Sequence, residues 1–577
     1  MSVIIVGGGP IGLLTSISLS HQGIPHTLFE RYAGTSIHPK AVGLHPRTME
    51  VLRSLGLEDA VAAASAPPHS HSKTAWYTDL GLARREIVTR TAWGGGDLHA
   101  PEYEAYSPSR YTVLPQIRLE PILLRRAREL NPGGIVHCAE VVDVREDEQA
   151  DRVFVSVRRG GTDGLVEEHS ASYVIAADAG RTVGRRLGIA MRGEEGILDM
   201  VSAHLRAPHL RQWHPDPDVL ILWFIDPARG GSINTGLLYH LGPYNQGSDG
   251  EEWMFACARR ASDSKFSEEE MLARLRETLK IPAAELDGKV ELLSLSHWLV
   301  NAVVADSFRS ACGRVFLVGD AAHRIPPWGA LGLNTGVQDV HNLVWKLALS
   351  LRHEKSGGGA LNDLLDTYEA ERRPIALRVA ETSLANLRNH ALAMDRALGI
   401  DPAKSAAENT ASFNAYFDES HPLHAQMRDA VARAQAVLDV EFHAPGAEIG
   451  WFYPSVDVKG EGAATRHDGQ INEDGEFELC VYYPSTIPGH HLPHFWVDRG
   501  GMRKSSRDLL RRDQCVLFAR SEWLKGAGDV DVHVEVVDGV HWIEGAVLVR
   551  PDGIVAWRAG LSGEHSKNPS RTNWNPG

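Results

Sequence analysis

The chain carries little cysteine, no surplus of positive charge and no long uninterrupted apolar run. Its five cysteines, Cys138, Cys257, Cys312, Cys480 and Cys515, form no C-x-x-C pair and no metal-ligand spacing. That argues for reduced, packed thiols and a cytoplasmic location. No run of about 18 apolar residues is present, and no basic segment precedes a longer apolar one at the N-terminus, so neither a membrane span nor export is expected. Lysine and arginine number 59 against 74 for aspartate and glutamate, a formal charge of −15. A balance that acidic argues against nucleic acid as the main partner. What remains is ordinary for a globular protein, 43% hydrophobic and 23% charged, at a length that suits roughly three or four domains.

The most informative stretch is GRVFLVGDAAHRIPPWGALGLNTGVQDVHNLVWK, Gly313 to Lys346. Val315 to Val318 reads as a short buried strand that stops at Gly319-Asp320. Pro326-Pro327, Gly329, Gly332 and Gly336 then suggest an open loop before Val337, Val340, Leu343, Val344 and Leu347 repeat at helical spacing. A carboxylate at the C-terminal edge of a strand can accept hydrogen bonds from a sugar-like hydroxyl, and a glycine loop lets backbone N–H groups approach a flat polar ring. Together these suit a dinucleotide with a ribityl chain.

At the other end of the chain, VIIVGGGPIGLLTSISLSHQGIPHTLFER presents a four-residue apolar strand, Gly7-x-Gly9-x-x-Gly12, a helix, and a second strand, His26 to Phe29, that ends in Glu30 and Arg31. Gly7 allows the tight turn, Gly9 a close approach to a pyrophosphate, and Gly12 close packing of helix on strand, while Glu30 can accept from ribose hydroxyls. Between these motifs, Tyr173 to Ala177 reads as a strand ending at Asp178. Residues 190 to 300 alternate apolar and polar residues with aromatic enrichment, as in an antiparallel sheet.

The glycine motif, Asp178 and Gly319-Asp320 stand in the order found in class A FAD-dependent aromatic hydroxylases, and the chain resembles that family's phenol hydroxylase and 2-hydroxybiphenyl 3-monooxygenase branch. The resemblance implies an α/β fold: a Rossmann-like FAD-binding domain with an interleaved antiparallel-sheet substrate domain and a C-terminal thioredoxin-like domain. It divides the chain into a discontinuous FAD-binding domain (1-70, 107-190 and 300-395), a substrate-binding domain (71-106 and 191-299), a helical connection (396-440) and a thioredoxin-like domain (441-577) without redox cysteines. It implies FAD as cofactor and NADPH or NADH as transient electron donor. It also implies hydroxylation of a phenolic substrate with O2 through a flavin C4a-hydroperoxide; a homodimer is a further candidate assembly.

Residue by residue, the resemblance assigns FAD contacts to Gly7, Gly9, Gly12, Glu30, Arg31, Lys40, Gln116, Gly319 and Asp320, and to the stretch Gly329, Gly332, Leu333 and Asn334. Asp178 and Arg185 would meet FAD and the nicotinamide donor, although Ala179 stands where the family has glycine and Gly180 follows. Lys40 stands where the family usually has arginine. The Pro327 carbonyl is expected near the substrate oxygen. Trp223, Tyr239, Pro327 and Trp328 are expected to line the substrate pocket, with Phe224 and His240 as further candidates. The usual helper in phenol deprotonation is replaced by Val42, which leaves His38 and His45 as candidate catalytic groups. No metal is expected, because His490, His491 and His494 stand among prolines in a segment that resembles a structural loop of that branch.

Two alternatives stay open on the sequence. One keeps the cofactor but performs Baeyer–Villiger insertion or epoxidation on a polyketide-like substrate. The other is a degenerate, non-catalytic flavin-fold binding module.

Overall fold

The computed structural model describes residues 2–96, 98–161, 164–244, 250–259, 266–401, 403–453, 467–527 and 531–560. Strand β1 (Val3–Val6) is fully buried and β-branched. Helix α1 (Pro10–His21) starts with Gly9 as N-cap and proline in its first turn, where a missing N–H costs nothing. Strand β2 (His26–Phe29) lies parallel to β1, Val3 opposite His26. The turn from β1 into α1 is too tight for side chains. Gly7 has φ +105°, and a Cβ there would stand 2.4 Å from the Ala177 carbonyl oxygen, while one on Gly12 would stand 1.9 Å from the Gly7 oxygen.

After α2 (Pro46–Ser54) the chain leaves this layer. It forms β3 (Lys73–Tyr77), β4 (Glu86–Thr91) and the short helix α3 (Ala100–Tyr106). It returns through α4 (Gln116–Leu130), β5 (Ile135–Val136), β6 (Tyr173–Ala176) and α5 (Val183–Arg186). It departs again as β7 (Met191–Arg206), β8 (Val219–Phe224), β9 (Gly236–Gly242), β10 (Glu252–Ala258), helix α6 (Glu268–Leu279) and β11 (Glu291–Ala305). The last strand of the first layer is β12 (Val315–Leu317), and β13 (His323–Arg324) edges the second. The result is a five-stranded sheet, β12-β6-β1-β2-β5, and an eight-stranded sheet, β13-β11-β7-β10-β9-β8-β3-β4. The first is parallel throughout. The second is antiparallel except where β8 runs parallel to β3.

Two long helices cover the parallel sheet, α7 (Leu331–Lys355) and α8 (Asn362–Asn389). The expected glycine loop is shorter than the sequence suggests. The helix begins at Leu331, so Gly332, Leu333, Asn334 and Gly336 lie inside it and only the turn up to Ala330 is loop. Gly336 is needed for packing, since a Cβ there would meet Ile11 at 2.9 Å and the Gly319 Cα at 3.0 Å. Among the described residues, no helix is long and apolar enough to cross a membrane.

Helices α9 (Ala406–Phe417), α10 (His424–Val437) and α11 (Pro445–Ile449) lead to the C-terminal part. There β14 (Val516–Ala519), α12 (Ser521–Ala527), β15 (His533–Val536), β16 (Ala546–Val549) and β17 (Val555–Ala559) form a sheet ordered β15-β14-β16-β17. A hairpin turn at Pro551-Asp552-Gly553 joins β16 to β17, with Gly553 at φ +79°. Residues 451–453 are irregular and the rest of the stretch to 458 lies outside the described residues, as does the tail from 561. Within 478–497 only the end joins a strand, Trp496–Arg499. Its prolines cannot donate to a ladder, which keeps the segment irregular.

A buried charge network fastens this C-terminal sheet to the helices. Glu371 on α8 takes Lys346 Nζ at 2.7 Å and both terminal nitrogens of Arg550, at 2.5 and 2.9 Å. Arg550 also holds Asp552 in the hairpin turn.

Candidate active site

The C-terminal edge of the parallel sheet gathers the three motifs that the chain keeps far apart. A Cβ on Gly319 (φ +57°) would stand 3.0 Å from Ile11 in α1, and one on Gly180 would stand 3.6 Å from the Asp320 carbonyl oxygen. The glycine turn, the Asp178 turn and the Asp320 turn therefore touch. Asp320 is exposed at this edge, and among the described residues nothing pairs with its carboxylate. Nothing lies within 4 Å of a Cβ built on Gly9, which leaves its backbone open at the positive end of α1.

Several expected ligands already have partners. Glu30 is buried, and its carboxylate accepts from Gly8 N–H at 2.5 Å and Tyr32 N–H at 2.7 Å. Arg31 is exposed and donates to the Tyr32 hydroxyl at 2.5 Å. The Gln116 amide donates to Glu120 at 2.6 Å, and Glu120 in turn accepts from Ser36 N–H at 2.7 Å. Lys40 is exposed on the same segment, its carbonyl accepting from the Tyr239 hydroxyl at 3.4 Å.

Asp178 is also engaged, by its own turn. Its oxygens accept from the N–H groups of Gly180, Thr182 and Val183 at 3.2, 2.7 and 2.9 Å. They close the turn into α5, and Arg185 stands exposed on that helix. Ala179 adopts φ +57°, a conformation that favours glycine. The backbone therefore keeps the left-handed step at the position where the sequence has lost its glycine.

Asn334 is engaged as well. It is buried in the first turn of α7, where its oxygen accepts from His45 N–H at 2.9 Å and its amide donates to the Gly43 and Ala330 carbonyls at 3.0 and 2.6 Å. The bonds to His45 and Gly43 tie the 43–45 segment to α7, and the one to Ala330 holds the first turn of the helix. What faces outward here is the N-terminal end of α7, whose first N–H groups have no intrahelical acceptor. The preceding turn holds Gly329 at φ +90°, where a Cβ would stand 2.9 Å from the Asn386 amide. The Pro327 carbonyl accepts from Ala330 N–H at 3.1 Å and keeps a second lone pair. Trp328 is buried against Leu387 and Met200.

The eight-stranded sheet separates the aromatic candidates by strand alternation. Trp223 and Tyr239 lie on the face that packs with Val42, Tyr111 and Met254. Phe224 is buried on the opposite face with α6. His240, out of phase with Tyr239, meets Trp253 at 4.8 Å. The last two are thereby removed from the pocket list. Trp223 donates to the Thr74 hydroxyl at 3.0 Å, and burial raises the Tyr239 phenol above its ordinary range.

Of the two histidines, His45 is corrected. It is buried against Tyr111, its Nε2 has no partner, and burial pulls its pKa down to about 3. Burial of this kind disfavours the protonated ring that a general base must form. His38 is half-buried, its Nδ1 3.0 Å from the Ser294 hydroxyl of β11. Burial, then Lys40 and His204, lowers its pKa.

One positioning group was not picked out from the sequence. Asp339 lies buried in α7 beneath the Gly319 turn, accepting from Gly319 N–H at 3.1 Å and from Arg372 Nε at 2.8 Å, with His323 Nε2 at 2.7 Å. The available signal was a carboxylate between Val337 and Val340 on the apolar stripe of a helix.

These features fit FAD, with an open backbone at Gly9, an exposed carboxylate at Asp320 and a helix N-terminus at α7 around one edge. The FAD binding domain family matches residues 1–383, and the aromatic-ring hydroxylase C-terminal family matches 485–572. A 2,4-dichlorophenol 6-monooxygenase of Delftia acidovorans is 30% identical over 96% of this chain and 94% of its own length. A tetracenomycin B2 monooxygenase-dioxygenase of Streptomyces olivaceus is 30% identical over 97% of this chain and 96% of its own. Among solved structures, the flavin-dependent monooxygenase PieE in complex with FAD and substrate superposes with a TM-score of 0.84 at 31% identity, covering 97% of this chain and 96% of the other. By its converging motifs and by these matches, the chain belongs to the FAD-dependent aromatic-ring hydroxylases.

Proposed function

We propose that this monooxygenase hydroxylates a phenolic ring held between the inner face of the eight-stranded sheet and the Pro327–Gly329 turn, with NADPH or NADH as electron donor. The carrying observation is that the Gly7, Asp178 and Asp320 turns meet at one sheet edge while Trp223 and Tyr239 share a face with Val42. Bound FAD would supply the hydride acceptor and the centre at which O2 is activated. The chain's own part is to bind, orient and exclude water. The N-terminus of α1 would face the pyrophosphate and Asp320 the ribityl hydroxyls, with Gly9, Lys40 and the turn before α7 completing the cradle. The apolar face around Trp223 would shield the reacting ring from solvent. Pro327 would offer its carbonyl to the substrate hydroxyl, and His38 is the histidine we retain for proton exchange.

We read the C-terminal sheet as thioredoxin-like, supported by the parallel pair β14 and β15 joined through α12 with antiparallel β16 and β17 beside them. Its cysteines form no C-x-x-C pair, and burial pushes the Cys515 thiol up to about 12.

The test is NAD(P)H oxidation with a panel of phenols and polycyclic phenolics, followed by product mass. A phenol that stimulates oxidation and gains one oxygen atom supports the reading. A ring-expanded or epoxidised product, or no stimulation by any phenol in the panel, would overturn it.

A further inference from the structure

Away from these motifs, two imidazoles and a carboxylate from distant parts of the chain meet at a half-buried place. His99 is the N-cap of α3, Glu102 lies in the first turn of that helix, and His443 precedes α11. Glu102 Oε2 stands 3.1 Å from His443 Nε2 and 3.7 Å from His99 Nδ1. The two rings are stacked, centroids 3.8 Å apart at 21°, and one donor atom from each residue lies within 4.8 Å of the others. Bonds of about 2.0–2.1 Å to a tetrahedral ion place donor atoms about 3.3–3.4 Å apart. The two carboxylate–imidazole separations bracket that edge.

We propose that His99, Glu102 and His443 form a three-ligand site for a divalent transition ion, Zn2+ by its donor set, which ties α3 to the segment before α11. Two imidazoles with one carboxylate suit zinc or its neighbours in the first transition row, whereas magnesium and calcium prefer oxygen alone.

The rings are held in place independently of any ion. A Cβ on Gly95 would stand 2.3 Å from His99 Cδ2, so this turn packs directly against the His99 ring. His443 is held edge to face by Tyr103 at 5.8 Å. The same two segments are joined by Trp93 N–H donating to the Phe442 carbonyl at 2.7 Å and by the Tyr103 hydroxyl donating to Glu448 at 2.8 Å. A bound ion would draw the three donors together at a junction that the fold already forms. The His443 Nδ1 is buried without a partner. A proton on that nitrogen leaves the Nε2 lone pair directed at the site.

The chain has 28 histidines, so the test must separate this place from adventitious uptake. The flavin-loaded enzyme is stripped with a chelator and titrated with Zn2+ by equilibrium dialysis and calorimetry. Wild type is expected to bind one equivalent specifically and to melt at a higher temperature when loaded. Glu102→Gln and His443→Ala should each weaken that equivalent by at least about tenfold, the lower end of the loss seen when even a partner outside the coordination sphere is removed. His541→Ala, at an exposed position, should bind as wild type does. Glu102→His, which returns a ligand, should recover much of the affinity, and flavin absorbance checks that each variant is folded. Equal affinity in wild type and Glu102→Gln, or no specific equivalent in wild type, overturns the proposal.

Discussion

Replacing Asp339 with asparagine tests how the cofactor edge is held. Both carboxylate oxygens are acceptors, one toward Arg372 Nε at 2.8 Å, the other toward His323 Nε2 at 2.7 Å and Gly319 N–H at 3.1 Å. Both charged side chains are 0% exposed. Burial alone would raise the Asp339 pKa, but His323 and then Arg372 lower it, so the carboxylate is ionised at neutral pH. Asparagine offers one acceptor oxygen and one amide donor, so one side of the site must set donor against donor. It also leaves the Arg372 charge without its carboxylate. Breaking a buried pair by removing one partner costs about 3–5 kcal/mol, a large part of a total stability of about 5–15 kcal/mol. The Gly319 turn carries Asp320, so flavin should be lost together with stability. Urea unfolding followed by flavin fluorescence, with the absorbance ratio of the purified protein, reads both. Asp320→Asn is the contrasting variant, expected to lose flavin while the stripped protein keeps its unfolding midpoint. An Asp339→Asn protein within about 0.5 kcal/mol of wild type, the range of innocuous surface changes, would refute the argument.

Gly12→Ala should abolish most flavin retention, because its Cβ would stand 1.9 Å from the Gly7 oxygen and backbone must move; a fully yellow purified variant would contradict this. Ala179→Gly should be neutral or stabilising by up to about 1 kcal/mol, the left-handed strain relieved being offset by greater freedom of the unfolded chain. A lower melting temperature would show that the φ of +57° is not strained. Asp395 is buried, and burial raises its pKa to about 7. Between about pH 4 and 7 the unfolded chain has lost this proton while the folded protein keeps it. Stability should therefore fall as pH rises through that window, by up to about 1.4 kcal/mol per pH unit, and level off above it. Asp395→Asn should remove that component, and identical pH slopes for the two proteins would refute it.

Much of the site could be read along the chain because its parts are local. Gly7, Gly9 and Gly12 are dictated by one strand–turn–helix, and Asp320 by the end of one strand. Ala179 shows a limit of such reading, since only the backbone reveals that the left-handed step survives without glycine. Gly332 and Gly336 were taken for loop because glycine is a poor helix former. Gly336 is instead helical, where Ile11 and Gly319 leave no room for a side chain. Asn334, placed among the cofactor ligands from the sequence, has its side chain bonded to Gly43, His45 and Ala330.

The sequence by itself determined the strand–glycine–helix unit, the carboxylate at the second motif and the alternation of the eight-stranded sheet, because each depends on residues within a turn or two of one another. Only the tertiary structure decided which face Trp223 and Phe224 take, that His45 is sealed off, that Asp339 holds up the Gly319 turn, and that His99 and Glu102 meet His443. Those outcomes depend on separate segments of the chain being packed together, and on the burial that follows, neither of which spacing along a chain encodes.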